Sequence, residues 1–384
     1  MVMGPHRVPI ARWHIIGVMD HLSRINFEVL TGDARNILSR IKGEGRLVHC
    51  VMTSPPYFNQ RRYGLLAEEI GKSGSEQEYV SGLVRTFGLV PLHERGSLWV
   101  NIGDKRASSG GLLMIPEKFA LAMLADGWLL MDKVIWAKVV DVPAGTRDGK
   151  TSIGNCMIEP APGRLNGNGW EYLFRFSRSR DPWSDTCSVR LPRDNSPSSR
   201  YLPASLMGTI TEVEGKNRHN VWQMPMGQTR QRHFACYPRM LCEVPISMTC
   251  PMRVSLDGRT LEERLVENRE YDEGKGKKRV FGKYTAIPDP NSPDNASGRM
   301  DTGKQYVPKK PVTTGWTDMG PEWSAGVVLD PFCGTGTTGT TALRLGRSFV
   351  GIDLYEEYAA MSRRACKETM AELSRGVNHL DVRS

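Results

Sequence analysis

Apolar and polar positions along the chain fall into short blocks of differing period. Residues 27–34 form an apolar run ending in a Gly-Asp turn, which predicts a strand. Residues 36–45 put Ile37, Leu38 and Ile41 on one helical face, and 47–53 read as a buried strand entering a proline-stiffened loop. Strand, helix, strand in that order predicts a parallel sheet. The pattern continues with a helix over 79–90, a buried strand over 96–104, a helix over 116–125 with proline in its first turn, and strands over 128–138 and 170–179. A further helix is expected over 237–249. After residue 325 come a strand, a glycine loop, a helix, a strand and an acidic end.

Two stretches lose this periodicity. Residues 185–232 are rich in Ser, Pro, Asn and Arg and too long for a plain loop. Residues 254–322, with "EGKGKK" and "PDPNSPDNASG", predict a polar insertion. The expected organisation is a catalytic domain in three pieces (1–184, 233–253 and 323–384), interrupted by a recognition region at 185–232 and the insertion at 254–322.

Composition narrows the class. A chain of 384 residues with 39% hydrophobic and 24% charged residues builds two or three globular units. It contains no uncharged apolar run long enough to span a membrane. Residues 1–14 are basic and lack an apolar segment, so no secretory leader is expected. Eight cysteines, none in a C-x-x-C pair, argue against a disulfide framework and for a reducing cytoplasm. The net charge of +9 is compatible with a polyanionic partner.

The sequence "VVLDPFCGTGTTG" holds Gly334, Gly336 and Gly339 in G-x-G-x-x-G spacing between a strand and a helix, and Asp353 ends the next strand. Glycines admit close backbone approach to a ligand, and a strand-end carboxylate binds ribose hydroxyls, so an adenosine-containing cofactor is expected. No G-K-[ST] follows, which excludes a P-loop. A nicotinamide cofactor and S-adenosylmethionine both remain candidates. The loop comes late in the chain and carries Thr335, Thr337 and Thr338, which favours S-adenosylmethionine.

"TSPPY" at 53–57 follows a buried strand and therefore projects from the ligand-binding edge of the sheet. Its prolines fix φ and offer carbonyls without competing N–H groups. Ser54 adds a hydroxyl and Tyr57 a flat ring. Such a loop can hold a planar amine.

Together, "TSPPY" early and "DPFCGTGTTG" late resemble the β-group of DNA amino-methyltransferases. "LTGDA", "LWVNIGD", "WEYLFRFSRS", "NVWQMP", "HFACYPRMLCEVPI" and "RSFVGIDLYEEY" resemble further family blocks in the family's order. The resemblance implies an α/β, Rossmann-like methyltransferase fold with a circularly permuted, mostly parallel sheet. It implies transfer of a methyl group from S-adenosylmethionine to an exocyclic amine of a base flipped out of double-stranded DNA. Ser54, Pro55, Pro56 and Tyr57 would form the target-base loop. Asp330, Pro331, Phe332, Gly334, Gly336, Thr337 and Thr338 would cradle the cofactor, Asp353 would bind its ribose, and Asp33 would lie near its adenine. The helix near 238–246 would close the methionine end. Serine before Pro-Pro-Tyr resembles the cytosine-N4 subgroup, with adenine-N6 as the alternative.

Candidate DNA contacts are Arg61 and Arg62 beside the target loop, and Arg190, Arg193, Arg200, Arg218 and Arg230 in the recognition region. Cys50 and Cys333 lie in a strand and in the cofactor loop, which argues against the cysteine chemistry of carbon methylation. His233, Cys236, Cys242 and Cys250 match no standard zinc spacing, so no metal is expected. A bacterial or phage-infected cell is implied, and a cognate restriction endonuclease is left open. Two other classes compete: a nicotinamide oxidoreductase, and a DNA-binding protein without activity.

Overall fold

The computed structural model describes residues 18–59, 69–140, 152–153, 169–191, 217–225, 237–270 and 309–381. It divides into one large unit, Met1–Leu261 with Met319–Ser384, and a small one, Glu262–Asp318.

The large unit is built on a mostly parallel sheet. Its strands are β1 (Phe27–Thr31), β2 (Val48–Thr53), β3 (Leu92–Ile102), β4 (Leu129–Val140), β5 (Ser152–Ile153), β6 (Trp170–Ser177), β7 (Val221–Pro225), β12 (Val327–Asp330) and β13 (Ser348–Asp353). The order is β1-β13-β12-β2-β3-β6-β4-β5, with β7 also paired to β4. Strands β1, β13, β12, β2 and β3 run parallel; β6 is antiparallel to both β3 and β4. The two strands that come last in the chain thus sit between the first two. This is the permuted order expected from a cofactor loop placed late in the sequence.

Helices cover both faces, as an all-buried parallel sheet requires. On one face lie α2 (Ala34–Gly43), α3 (Glu76–Gly88) and α4 (Ile115–Ala125); Ile37, Leu38, Tyr79, Phe87, Phe119 and Met123 pack there against Val51, Leu98, Val100 and Phe174. On the other lie α5 (Arg239–Thr249), α6 (Thr337–Arg344) and α7 (Glu356–Asp381), packed through Leu241, Ile246, Leu343 and Cys366 against Cys50, Met52, Trp99 and Phe349. A short α1 (Val18–Ser23) precedes β1.

Local chemistry sets the helix starts. The Ser75 hydroxyl caps α3 by accepting from the Glu78 amide, while the Glu78 carboxylate accepts from the Gly74 amide. Asp104 caps α4, accepting from the Met114 and Ile115 amides.

The structure adds elements that periodicity did not reveal. Residues 185–232 read as one irregular segment, yet both described flanks join the sheet unit. Val189, Trp222 and Met224 are buried in its core, and β7 runs parallel to β4. Val254 and Leu261, inside the expected insertion, are buried too. There β8 (Arg253–Ser255) pairs antiparallel with β11 (Trp323–Ala325). The small unit contains the antiparallel pair β9 (Arg264–Glu270) and β10 (Lys309–Trp316). Cys242 and Cys250 are buried in the helical face; His233 and Cys236 lie outside the described residues.

Candidate active site

The two motifs leave the sheet side by side. β12 pairs with β2 through Val328–Cys50 and Leu329–Val51, so their carboxyl ends meet at one rim. The link there is direct. Thr53 Oγ1, at the end of β2, donates to Asp330 Oδ1, at the end of β12, at 2.6 Å. Asp330 accepts three further bonds, from the Phe332 amide (3.0 Å), Thr338 Oγ1 (2.7 Å) and the Tyr237 hydroxyl (3.1 Å). Asp330 and Thr338 are fully buried, and their side chains bond other protein groups. Burial raises the Asp330 carboxyl above its usual value, against the lowering effect of those donors. The network ties together the target loop, the cofactor loop, α6 and Tyr237, two residues before α5, at one rim. Tyr237 lies inside the block "HFACYPRMLCEVPI" but was given no role from the sequence.

The glycine loop has the geometry of a ligand cradle. Gly334 (φ +51°) and Gly336 (φ +90°) adopt left-handed backbone conformations, and Gly336 is the N-cap of α6. A Cβ on Gly336 would lie 2.7 Å from Ser362 Oγ, and one on Gly339 would lie 2.5 Å from the Phe349 ring. At Gly334 a Cβ would meet nothing within 4 Å, so this glycine faces open space. Asp353, which is partly exposed, accepts from the Gly334 amide at 2.9 Å and the Tyr355 amide at 3.0 Å. Burial pushes its carboxyl up to about 6. Pro331 is buried and Phe332 packs edge-on to Phe87. Thr337 opens α6 and is half-buried.

Asp33 stands at the same rim. The Gly32 amide bonds the Asp353 carbonyl at 2.8 Å, and Asp33 caps α2 by accepting from the Arg35 amide. Burial raises its carboxyl, but the Arg35 hydrogen bonds and charge outweigh that and leave it lowered. Together these groups fit S-adenosylmethionine. Helix-terminal amides suit a carboxylate, a strand-end carboxylate suits ribose hydroxyls, and an open glycine leaves room between them.

The target loop is held from three sides. The Tyr79 hydroxyl donates to the Pro56 carbonyl at 2.9 Å, and the Asn59 amide bonds the Gly71 carbonyl at 2.8 Å. Tyr57 turns its hydroxyl to Glu171 Oε2, 2.6 Å away, and Ser54 Oγ donates to that hydroxyl at 3.4 Å. Asn101 Nδ2 donates to both the Tyr57 hydroxyl (2.9 Å) and Glu171 Oε2 (2.7 Å), while Lys138 Nζ lies 2.5 Å from Glu171 Oε1. Burial and the Glu171 charge hold the Tyr57 phenol well above its usual value. Asn101, Lys138 and Glu171 come from three strands, so no sequence motif joins them. Asn101 and Glu171 fall in the blocks "LWVNIGD" and "WEYLFRFSRS", but nothing in the sequence links them to each other or to Lys138.

Two of the arginine candidates are described. Arg190 Nε donates to Asn217 Oδ1 at 3.3 Å, and Arg218 Nε to the Val189 carbonyl at 2.6 Å. Arg61, Arg62, Arg193, Arg200 and Arg230 lie outside the described residues. The Cys50 thiol is buried and pushed up to about 11, and burial likewise raises Cys333 well above its usual value. Neither is poised as a thiolate nucleophile.

Comparison with known proteins gives the chain's relatives. The chain is 24% identical over 366 residues to the type II methyltransferase M.SmaI of Serratia marcescens, covering 88% of this chain and 89% of that protein. It is 26% identical over 395 residues to M.SfiI of Streptomyces fimbriatus, covering 87% and 89%. Among solved structures, the cytosine-N4-specific PvuII DNA methyltransferase aligns with a TM-score of 0.48 at 17% identity, over 91% of each chain. The DNA methylase family of N6 and N4 amino-methyltransferases matches residues 48–256 and 321–364, a span that includes both rim motifs and most of the sheet, and this chain belongs to it.

Proposed function

We propose that the protein methylates the exocyclic N4 amine of cytosine in a specific double-stranded DNA site, as the modification component of a type II restriction system. The observation that carries this reading is the Thr53–Asp330 hydrogen bond. Through it, an amine-holding loop and a cofactor cradle share one rim of one sheet.

Bound S-adenosylmethionine supplies an electrophilic sulfonium methyl group. Asp353 would accept from the cofactor's ribose hydroxyls, and the first amides of α6 would hold its carboxylate. The target base enters by flipping, because an exocyclic amine inside a duplex is out of reach of the loop. Tyr57 offers its ring for stacking. Ser54 Oγ and the Pro55 carbonyl accept the two amine hydrogens, since the Pro56 carbonyl is already taken by Tyr79. That favours a pyramidal nitrogen with its lone pair localised, and orientation supplies much of the rate. The buried, protonated thiols of Cys50 and Cys333 speak against a covalent route to ring carbon.

Ser54 carries the choice of cytosine-N4, because serine before Pro-Pro-Tyr resembles that subgroup; adenine-N6 is the second reading. The two are separated by expressing the protein in a methylation-free bacterium, hydrolysing the DNA and analysing nucleosides by mass spectrometry. N4-methylcytosine supports the proposal, N6-methyladenine replaces it with the second reading, and 5-methylcytosine or no modification refutes both. Long-read sequencing of the same DNA gives the recognition site and hence the specificity of the recognition region. Binding assays on variants at Arg61, Arg62, Arg190, Arg193, Arg200, Arg218 and Arg230 then test each as a DNA contact.

A further inference from the structure

The polar cluster beneath the target loop contains more acceptors and donors than are needed to hold a tyrosine in place. Asn101, Lys138 and Glu171 lie at one rim because β3 ends there, β6, antiparallel to it, begins there, and β4, antiparallel to β6, ends there. All three share a face with Trp99, Trp136 and Leu173, which lie two residues in from the rim along the same strands and are buried in the core. The Glu171–Lys138 pair is largely buried, with side chains 13% and 14% exposed.

The direction of each hydrogen bond follows from what each group can do. Glu171 is ion-paired to Lys138, so its carboxylate only accepts. The Tyr57 hydroxyl, 2.6 Å away, must therefore donate its single proton to Glu171. The phenol oxygen is then left as an acceptor, and Asn101 Nδ2 fills one of its lone pairs at 2.9 Å. Asn101 cannot present its oxygen instead, because the same atom lies 2.7 Å from Glu171 Oε2. The remaining lone pair faces Ser54, whose hydroxyl donates to it at 3.4 Å. Ser54 has one proton, and it points inward. Its oxygen turns lone pairs outward.

From this we infer that Glu171 is a positioning residue which, through Tyr57, fixes Ser54 as an acceptor and so makes the site select a base bearing an exocyclic amine over one bearing a carbonyl at the same place. The inference rests on the amine-methylating reading above. An amine donor meets an oxygen ready to accept. A carbonyl at that position meets oxygen against oxygen, and a buried unpaired acceptor is costly. Reversing the chain would need Tyr57 to withdraw its proton from a charged partner, the strongest bond in the series.

Glu171→Gln places an amide where the carboxylate stood. The amide can donate to the Tyr57 oxygen, which frees Tyr57 to donate to Ser54 and lets Ser54 point its own proton outward. Tyr57→Phe cuts the chain without touching the Glu171–Lys138 pair. The test uses the full-length protein with S-adenosylhomocysteine and duplexes carrying the mapped site, with the target base either native or replaced by its keto counterpart (uracil for cytosine, hypoxanthine for adenine). Wild type is expected to bind the native site at least tenfold more tightly than the keto duplex. Glu171→Gln and Tyr57→Phe are expected to bring that ratio within threefold and to lower kcat at least thirtyfold, with cofactor affinity within twofold of wild type.

Adding Glu171→Gln to Tyr57→Phe should cost no more than a further threefold in kcat, because both act through one chain. Retained discrimination in either single variant overturns the inference. So does an undiminished loss from Glu171→Gln in the Tyr57→Phe background, which would mean Glu171 serves the fold alone. If Glu171→Gln fails to bind cofactor, Tyr57→Phe decides by the same ratio. A wild type that methylates no amine would instead defeat the reading on which the inference stands.

Discussion

Replacing Thr53 by valine keeps the shape of the side chain and deletes one hydroxyl. In the structure that hydroxyl is fully buried and donates at 2.6 Å to a carboxylate that is itself fully buried. A hydrogen bond to a charged group contributes about 2 kcal/mol, and the acceptor left behind has no water to replace the lost donor. Asp330 Oδ1 keeps only the Phe332 amide, and Oδ2 keeps Thr338 and Tyr237. The expected loss is therefore about 2 kcal/mol, or about thirtyfold in the unfolding constant. Urea unfolding followed by circular dichroism should show a lower midpoint with an unchanged slope. Thr53→Ser, which keeps the donor, should recover most of the loss. A double-mutant cycle of Thr53→Val with Tyr237→Phe should show coupling, because both donors serve one carboxylate. If Thr53→Val changes stability by less than about 0.5 kcal/mol and the cycle is additive, the buried carboxylate does not clamp the two motifs together.

Asp353 needs its charge to accept from ribose hydroxyls, and its carboxyl stands at about 6 in the free protein. Calorimetric affinity for S-adenosylmethionine should hold above that pH and fall below it, approaching tenfold per pH unit; Asp353→Asn should bind weakly and show no such break. His49 is buried as the neutral imidazole, accepting from the Val327 amide and bonding the Gly258 carbonyl, and burial lowers it to about 4. The unfolded chain takes up that proton first, so stability should fall between about pH 6.5 and 4 by about 3 kcal/mol, and His49→Gln should flatten this limb. Gly336→Ala forces a side chain into φ +90° and within 2.7 Å of Ser362 Oγ. It should cost about 2–4 kcal/mol in urea unfolding and weaken cofactor binding, whereas Gly43→Ala, inside α2 with nothing within 4 Å, should be neutral or stabilising.

What the sequence revealed and what it hid differ in range. The block from β1 to β2 was legible because its signals are local: a 3.6-residue period in α2, a Gly-Asp turn, and a fully buried β2. The two rim motifs were legible because each is continuous, and their order in the chain implied the permuted sheet. The inward orientation of Asp330 and Thr338 was not legible, because a motif gives residue type and spacing but not which way a side chain turns. Tyr237, Asn101, Lys138 and Glu171 were missed for a related reason. Each sits in a different element, and only the antiparallel arrangement of β3, β6 and β4 gathers the last three. The long helix α7 was also missed, although Ala359, Ser362, Cys366 and Thr369 recur at helical spacing; small and polar residues dilute that face below what hydrophobicity alone detects. Both β7 and the β9–β10 pair lie in polar stretches, where strand pairing outweighs composition.

The central claim is that the glycine loop and the Ser-Pro-Pro-Tyr loop form one site. The most direct measurement is a crystal structure with sinefungin, an analogue in which an amine replaces the sulfonium methyl. The account predicts ribose oxygens about 3 Å from the Asp353 carboxylate, the amino-acid end at the start of α6, and the amine aimed at the space beside Ser54 and Pro55. Sinefungin bound away from Gly334, or bound there with its amine turned from the Ser54 loop, would contradict it.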